Sequence, residues 1–293
     1  MENKNNIDKR RISPQAARMQ EVLDEERRVR ERMAKVKHKI IVMSGKGGVG
    51  KSTVAANLAV AMSKLGSRVG ILDSDIHGPS IPKIMGVEGM RPSGGPTGIY
   101  PILSGYGVRV ISIDLFLENS EDPVIWRGPL KMSAIRQFLS DVDWGELDYL
   151  FIDLPPGTGD EPLSVMQLLP NMDGAVIVTA PSDLSKHVVK KAINMSIKMN
   201  IPVIGIIENM SGFVCPKCGE KYDLLGSGVG KEMAEEMNVR FLGQIPIDPE
   251  ISRNSDKGVS FLIEDPNRES SKIFMKIAQK IKSIVENENG SEK

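Results

Sequence analysis

The glycine-rich run at residues 45–53 limits this chain to a small set of folds. It matches the pattern G-x-x-x-x-G-K-[ST], in which a strand ends, a loop surrounds phosphate groups and a helix begins. Its glycines let backbone N–H groups point at phosphate oxygens, and the N-terminus of the following helix favours an anion. The candidate nucleotide-binding residues of the run are Gly45, Lys46, Gly47, Gly48, Val49, Gly50, Lys51, Ser52 and Thr53.

Two residues of this phosphate loop are expected to act on the nucleotide directly. Lys51 would neutralise the β- and γ-phosphates, and Ser52 would bind Mg²⁺. The chain lacks an N-K-x-D guanine motif after its later strands, which favours ATP over GTP. The loop therefore predicts an ATP site.

Short apolar runs alternate with helical patterns from Lys39 onward. Repeated strand–helix units predict an α/β fold with a doubly wound, mostly parallel sheet and helices on both faces. The expected buried strands are Ile40–Met43, Val69–Leu72, Val108–Ile113, Tyr149–Ile152, Ala175–Val178 and Val203–Ile207. The clearest helical patterns are Ser52–Leu65, Leu130–Leu139 and Ser185–Met199.

Charge divides the chain into two parts. Residues 1–38 carry 11 Lys and Arg against 7 Asp and Glu, whereas the remainder carries 27 against 31. We therefore predict a charged helical N-terminal extension at 1–38 and an ATPase domain at 39–293. The domain is expected to contain a cysteine loop at about 212–230 and to end in a C-terminal helix.

Composition argues against several classes of protein. The 293 residues have equal numbers of acidic and basic side chains, so net charge gives no reason to expect nucleic acid or an anionic membrane as partner. We find no apolar run of roughly 18 residues and no secretory signal at the N-terminus. The expected location is the cytoplasm, where thiols stay reduced.

Carboxylates follow two of the predicted strands. Asp73 and Asp75 come after one strand, and Asp153 comes directly after another. Carboxyl ends of parallel strands face the crevice where Mg²⁺ and the γ-phosphate would lie. Asp153 is the candidate Mg²⁺ ligand, directly or through water, and Asp75 is the candidate for orienting the attacking water. How Asp73 and Asp75 divide their roles stays open.

The nucleotide base has weaker signals. Asn209 follows the last predicted strand and could bond the edge of adenine. The segment Ile245–Pro249, which includes Pro246, could cover one face of the ring. Gly157, after Asp153, could donate its backbone N–H to the γ-phosphate.

The only two cysteines, Cys215 and Cys218, are separated by two residues. Thiolates at this spacing can bind one metal centre, but two sulfurs do not complete a four-sulfur site. A symmetric dimer would supply four. The spacing fits a [4Fe–4S] cluster bridging two subunits, a shared zinc site, or a redox dithiol.

Several motifs together resemble the Mrp/ApbC family of P-loop iron–sulfur carriers, which belongs with MinD, ParA and the nitrogenase iron protein to the group with a deviant Walker A loop. The similar segments run in order over most of the chain. They are Gly45–Thr53, Asp73-Ser-Asp-Ile-His-Gly-Pro-Ser-Ile-Pro82, Trp126-Arg-Gly-Pro129, Trp144-Gly-Glu-Leu-Asp-Tyr-Leu150, Asp153-Leu-Pro-Pro-Gly-Thr-Gly-Asp160, Glu208-Asn-Met-Ser-Gly-Phe213 with the cysteine pair, and Leu242-Gly-Gln-Ile-Pro-Ile-Asp-Pro249.

This resemblance implies a MinD/ParA-like P-loop ATPase of low turnover that works as a homodimer. It implies that Cys215 and Cys218 bind a [4Fe–4S] cluster between two subunits, and that the cluster is delivered to apo iron–sulfur proteins with ATP as co-ligand. It also implies that Lys46 reaches the partner's nucleotide. Lys46, Lys51, Asp75 and Asp153 would then be the catalytic residues.

Three alternatives stay open. A positioning ATPase like MinD or ParA draws some support from an apolar stripe with surrounding lysines at Ser270–Val285, which could lie on a membrane. We favour the other interpretation of this stripe, a final helix packed on the sheet with its lysines reaching solvent. A zinc-clamped dimeric ATPase would use the same cysteines without a cluster. An electron-transfer ATPase like the nitrogenase iron protein fits less well, because that relative draws its cysteines from separate loops.

Overall fold

The fold is built on one large sheet, described here from a computed structural model that covers residues 14–76, 78–117, 128–215 and 218–288. The strands in these ranges are β1 (Val36–Ser44), β2 (Val69–Asp73), β3 (Ser93–Gly95), β4 (Gly98–Tyr100), β5 (Ile102–Leu103), β6 (Val108–Ser112), β7 (Leu147–Asp153), β8 (Gly174–Thr179), β9 (Val203–Glu208), β10 (Phe213–Val214), β11 (Lys221–Tyr222) and β12 (Phe241–Gln244).

Eight of these strands form the main sheet, in the order β12-β9-β8-β1-β7-β2-β6-β5. All neighbours pair in parallel except β5 and β6, which are antiparallel. The remaining strands make two small hairpins, β3 with β4 and β10 with β11. The six strands predicted from apolar runs are confirmed, and so is the doubly wound, mostly parallel sheet.

Helices cover both faces of the sheet, as predicted. The described helices are α1 (Pro14–Met33), α2 (Lys51–Lys64), α3 (Ile81–Ile84), α4 (Gly128–Ser140), α5 (Asp160–Leu168), α6 (Asp183–Lys198), α7 (Val229–Glu236), α8 (Pro249–Asp256), α9 (Phe261–Glu264) and α10 (Glu269–Glu288). One core lies between the sheet and α2, α3, α9 and α10. The other lies between the opposite face and α1, α4, α5, α6 and α7.

Strand β1 lies at the point where the direction of the sheet order reverses. The chain places β2, β6 and β7 on one side of it and β8, β9 and β12 on the other. Ligands of such sheets bind beyond the carboxyl ends of the strands at this switch point. The register brings the ends of three strands together, because Val42 of β1 pairs with Asp153 of β7, which in turn pairs with Asp73 of β2.

The C-terminal helix α10 packs into the protein core. Phe274, Ile277 and Ile281 are fully buried in the same cluster as residues of α2, and Ile273 and Ile284 pack against that cluster. The interpretation of this stripe as a membrane-surface helix is therefore wrong, since the apolar face is already covered. Among the described residues, we find no helix with the length and apolar character needed to cross a membrane.

The N-terminal helix α1 docks on α4 through its last turns. Val29 and Met33 are buried against the core, and Arg32 Nη1 lies 3.2 Å from Asp143 Oδ1. Strand β1 begins at Val36, before the predicted boundary at residue 38. Residues 1–13 of the predicted extension lie outside the described residues, and the division into extension and domain stays a prediction.

We expect Met33→Ala to lower the free energy of unfolding by about 2–5 kcal/mol, because it leaves a cavity at a fully packed position. Met19 lies on the same helix with 62% of its surface exposed, so Met19→Ala should cost less than about 0.5 kcal/mol. Urea unfolding of the two variants checks this. Equal and small effects would show that α1 does not contribute to the stability of the domain.

Candidate functional site

The phosphate loop connects β1 to α2 at the centre of the sheet. Gly48 and Gly50 have φ values of 78° and 77°, in the left-handed region that favours glycine. Gly45 is required for a different reason, because a Cβ there would lie 2.5 Å from the carbonyl oxygen of Val188 on α6. The loop therefore has the conformation that its glycines predict, directly before the N-terminus of a 14-residue helix.

Lys51 and Asp153 form a buried ion pair at the base of this loop. Lys51 Nζ lies 2.6 Å from Asp153 Oδ1 and 3.3 Å from Ser52 Oγ. The two side chains of the pair are 6% and 0% exposed. Burial raises the pKa of Asp153, and the adjacent Lys51 opposes that rise. The structure thus brings together the three residues that the sequence assigned to phosphate and Mg²⁺.

The second oxygen of Asp153 fits the predicted magnesium site. Asp153 Oδ2 is buried and has no hydrogen-bond partner among the described residues. A buried carboxylate oxygen without a partner is costly unless something else satisfies it. Mg²⁺ prefers oxygen ligands, and the Asp153 carboxylate and the Ser52 hydroxyl form such a set. The residues present therefore suit the ion.

Asp73 and Asp75 are separated by their environments. Asp73 is buried and accepts from the backbone N–H groups of Asp75, Ser80 and Ile81 at 3.1–3.2 Å. Burial and the nearby Asp153 raise the pKa of Asp73 to about 8. Asp75 is half-buried, and its Oδ1 accepts from the Gly78 N–H at 3.3 Å. Asp73 thus organises the turn, and Asp75 keeps the more accessible carboxylate.

The side chain of Lys46 contacts a residue of its own subunit. Its Nζ lies 3.3 Å from the Oγ of Ser182, and Ser182 Oγ lies 2.7 Å from Ser185 Oγ. Ser182 directly precedes α6, so the lysine lies at the beginning of that helix. The predicted contact of Lys46 with a partner's nucleotide stays a prediction.

A cleft of about 490 Å³ opens beside the phosphate loop. Thr53 of the phosphate loop lines it, together with Asn209 and Pro246, the two residues that the sequence analysis assigned to the nucleotide base. Asn209 has a further role that the sequence did not indicate, because its Nδ2 donates to the Val49 carbonyl oxygen at 2.9 Å. The adenine contact of Asn209 stays a prediction.

The backbone N–H of Gly157, which the sequence analysis assigned to the γ-phosphate, forms a hydrogen bond within the domain. It donates to the Ser44 carbonyl oxygen at 3.0 Å, with Gly157 at φ 93°. This bond ties the segment after Asp153 to the end of β1. The contact of this N–H with the γ-phosphate stays a prediction, and it would require the bond to Ser44 to open.

The cysteine pair lies at the tip of the hairpin β10–β11, which we call the cysteine hairpin. Cys215 is half-buried and Cys218 is exposed, and neither forms a disulfide in the described part of the chain. The Cys215 N–H donates to the Glu220 carbonyl oxygen and its own carbonyl accepts from Gly219, both at 2.9 Å. No group of three His, Cys, Asp or Glu side chains able to hold a metal occurs among the described residues. The cysteine hairpin therefore carries both thiols of the chain.

Sequence reasoning missed the role of Glu208 at the end of β9. This fully buried carboxylate accepts from the Ser211 hydroxyl, the Gly228 and Gly230 N–H groups and the Gln244 side chain. Three of these partners lie at the beginning and end of the cysteine loop, residues 212–230, and Gln244 lies at the end of β12. The available signal was a polar Glu-Asn pair at the end of an apolar strand, followed by a loop with three closely spaced glycines.

Solved structures share this fold. A nucleotide-binding protein from Archaeoglobus fulgidus, solved in complex with ADP, is 44% identical with a TM-score of 0.74, and the match covers 85% of this chain and 96% of that one. The cell division ATPase MinD from Pyrococcus furiosus matches with a TM-score of 0.63 at 23% identity, over 85% and 99%. Together with the phosphate loop, the sheet defines this chain as a P-loop NTPase of the MinD/ParA fold.

Sequence comparison is more specific. The chain belongs to the ParA family described as "NUBPL iron-transfer P-loop NTPase", which matches residues 35–282. An "Iron-sulfur cluster carrier protein" from Methanocaldococcus jannaschii is 54% identical over 88% of this chain and 90% of the relative. A "Cytosolic Fe-S cluster assembly factor NUBP2 homolog" from Dictyostelium discoideum is 48% identical over 88% and 96%.

Proposed function

We propose that this protein is an ATP-binding, slowly hydrolysing carrier that holds a [4Fe–4S] cluster between two subunits and transfers it to apo-proteins. This function is supported by the family to which the chain belongs and by the carrier relative with 54% sequence identity. The cluster is the cargo, and apo iron–sulfur proteins are the acceptors. We place the carrier in the cytoplasm, where its thiols would stay reduced.

The cysteine hairpin is the observation that carries the proposal. Cys215 and Cys218 extend from the nucleotide-binding domain at the tip of a two-stranded hairpin, with Cys218 exposed. Two copies related by a twofold axis would bring together four thiolates, the ligand number of a [4Fe–4S] cluster. The incomplete site of one chain thus becomes complete in a homodimer.

The surface around the hairpin favours a second copy of the chain. Val214, Tyr222, Leu224 and Leu225 are each 43–61% exposed, and they flank the cysteine pair in sequence. Exposed apolar side chains clustered in one segment are typical of protein–protein contacts. Burying them against the same surface of a partner would place the two cysteine pairs side by side.

The nucleotide site supplies the ATPase part of the proposal. Lys51 would bind the β- and γ-phosphates, while Ser52 and Asp153 would hold Mg²⁺, which neutralises developing charge on the phosphates when bound. Asp75 would orient the attacking water, and Lys46 would contribute from the partner subunit. Asn209 and Pro246 would contact the base.

Metal analysis tests the cargo directly. Protein purified and reconstituted without oxygen should contain about two iron and two sulfide per chain, the content of one four-iron cluster per dimer. About half a zinc per chain without inorganic sulfide would instead indicate a shared four-thiolate clamp. That result, or the absence of any bound metal, would overturn the carrier proposal.

A further inference from the structure

The carboxylate of Glu208 forms a buried polar centre outside the phosphate loop, with four hydrogen-bond donors around it. Its Oε1 accepts from Ser211 Oγ at 2.5 Å, from the Gly228 N–H at 2.8 Å and from Gln244 Nε2 at 3.0 Å. Its Oε2 accepts from the Gly230 N–H. Four donors on one buried carboxylate fix its position and theirs, because each bond to a charged acceptor is stronger than a neutral one.

Three of these donors lie at the ends of the cysteine loop. Ser211 immediately precedes the loop, and Gly228 and Gly230 are at its end, where α7 begins. Both backbone positions require glycine. Gly228 has φ 89°, and a Cβ on Gly230 would lie 2.9 Å from the Glu208 Cβ. The N-terminus of α7 also favours the negative charge. Glu208 thus closes the loop that presents the cysteines.

The next residue, Asn209, contacts the phosphate loop. Its Nδ2 donates to the Val49 carbonyl oxygen at 2.9 Å, and its own N–H donates to the Thr179 carbonyl oxygen at 2.7 Å. The side chain is 8% exposed. Two consecutive residues at the end of β9 therefore connect to different places, one to the phosphate loop and the other to the base of the cysteine loop.

A second set of contacts joins the cysteine hairpin to the nucleotide cleft. The Ser211 N–H donates to the Ile245 carbonyl oxygen at 2.9 Å, and the Ile247 N–H donates to the Gly212 carbonyl oxygen at 2.8 Å. Phe213 of the hairpin forms a bridge with Ile247, and Pro246 and Ile247 line the cleft. The wall of the cleft and the first arm of the hairpin are therefore one hydrogen-bonded unit.

We propose that Glu208 is a positioning residue for the cysteine pair, and that the Glu208–Asn209 step at the end of β9 transmits nucleotide binding from the phosphate loop to that pair. The inference rests on the proposed function, since it describes how the ATP site acts on the cargo ligands. Bound nucleotide fixes the loop that contains Val49. Asn209 is fixed with it, because its side chain bonds Val49. Glu208, the neighbour of Asn209, holds both ends of the cysteine loop to the end of β9. Such coupling requires the nucleotide to favour one of two arrangements of that loop.

The test uses metal-free, reduced, full-length protein and measures the rates at which iodoacetamide alkylates Cys215 and Cys218, with and without saturating ADP. In the unaltered protein we expect ADP to slow alkylation about fivefold or more, the lower end of ordinary coupling between sites. Glu208→Gln keeps the shape of the side chain but presents an amide to some of the donors. In this variant the rates with and without ADP should agree within about twofold.

Glu220→Gln is the matched control. Glu220 is an exposed carboxylate in the same loop, and its side chain accepts from the Tyr222 hydroxyl at 2.6 Å. This variant should keep the full ADP effect. If Glu208→Gln does not fold, Ser211→Ala removes one donor to Glu208 and should reduce the ADP effect by at least half.

Two results would overturn the inference. One is that ADP does not change the alkylation rate of the unaltered protein. The other is that the ADP effect is undiminished in Glu208→Gln, or in Ser211→Ala where Glu208→Gln does not fold. The alkylation readout needs no bound iron. A protein without a cluster would therefore contradict the carrier proposal while leaving this test decisive, and a protein with a full cluster could still fail it.

Discussion

Cys215→Ala should abolish the bound iron and sulfide of the reconstituted protein. One substitution removes two of the four proposed ligands of a cluster shared by two copies, and the two thiolates that remain do not complete a four-sulfur site. Iron and sulfide analysis and the visible absorption after anaerobic reconstitution measure the loss. Cys218→Ala should have the same effect, because both thiols are needed from each subunit.

Lys221→Ala is the control for this experiment. Lys221 lies in β11 of the same hairpin with its side chain exposed, so its replacement changes the hairpin without removing a thiol. It should retain the full iron content. If Cys215→Ala retained a full cluster, the bridging arrangement would be wrong, whatever nucleotide the protein binds.

Lys51→Ala should weaken the affinity for Mg-ADP on the order of 100-fold, equivalent to about 2.7 kcal/mol. Lys51 supplies the positive charge beside the predicted phosphate position, and charge-assisted bonds to phosphate are among the strongest that side chains make. Isothermal titration calorimetry measures the change. An affinity within a few-fold of the unaltered protein would contradict the assignment of Lys51 to the phosphates.

The same substitution should also lower the free energy of unfolding, by on the order of 3 kcal/mol, because it leaves Asp153 buried without its cation. The double variant Lys51→Ala/Asp153→Asn provides the control. It removes the unpaired charge, so it should recover much of the lost stability in urea unfolding while still binding Mg-ADP poorly. A double variant less stable than Lys51→Ala alone would show that the buried charge is not the cause.

Local patterns were sufficient to predict the centre of the sheet. Strands such as β1 and β8 are buried on both faces, so their apolar runs are continuous and easily recognised. The phosphate loop was equally clear, because its glycines are required by the backbone itself. The edge of the sheet was harder: β12 has only four residues, with a polar Gln244 and a Gly243 among them, and no local pattern distinguished it from a loop.

The contacts that organise the site could not be predicted in the same way. The bond between Asn209 and Val49 joins residues 160 positions apart, and the Lys51–Asp153 pair spans 102 positions. That Lys51 and Asp153 lie close together was expected, because the sequence assigned both to one nucleotide site, but their ion pair was not predicted. Asn209 was assigned to the base instead, because a sequence shows that an amide lies at a strand end but not which of its neighbours it bonds.

The closed base of the cysteine loop has a consequence for its length. Because Glu208 holds the chain where it leaves and where it re-enters the domain, the two ends stay together whatever lies between them. The entropy of closing a loop grows slowly, by roughly 0.6 kcal/mol for each doubling of its length. We therefore expect insertions beyond the hairpin, between residues 222 and 228, to cost little stability as long as the contacts of Glu208 are kept.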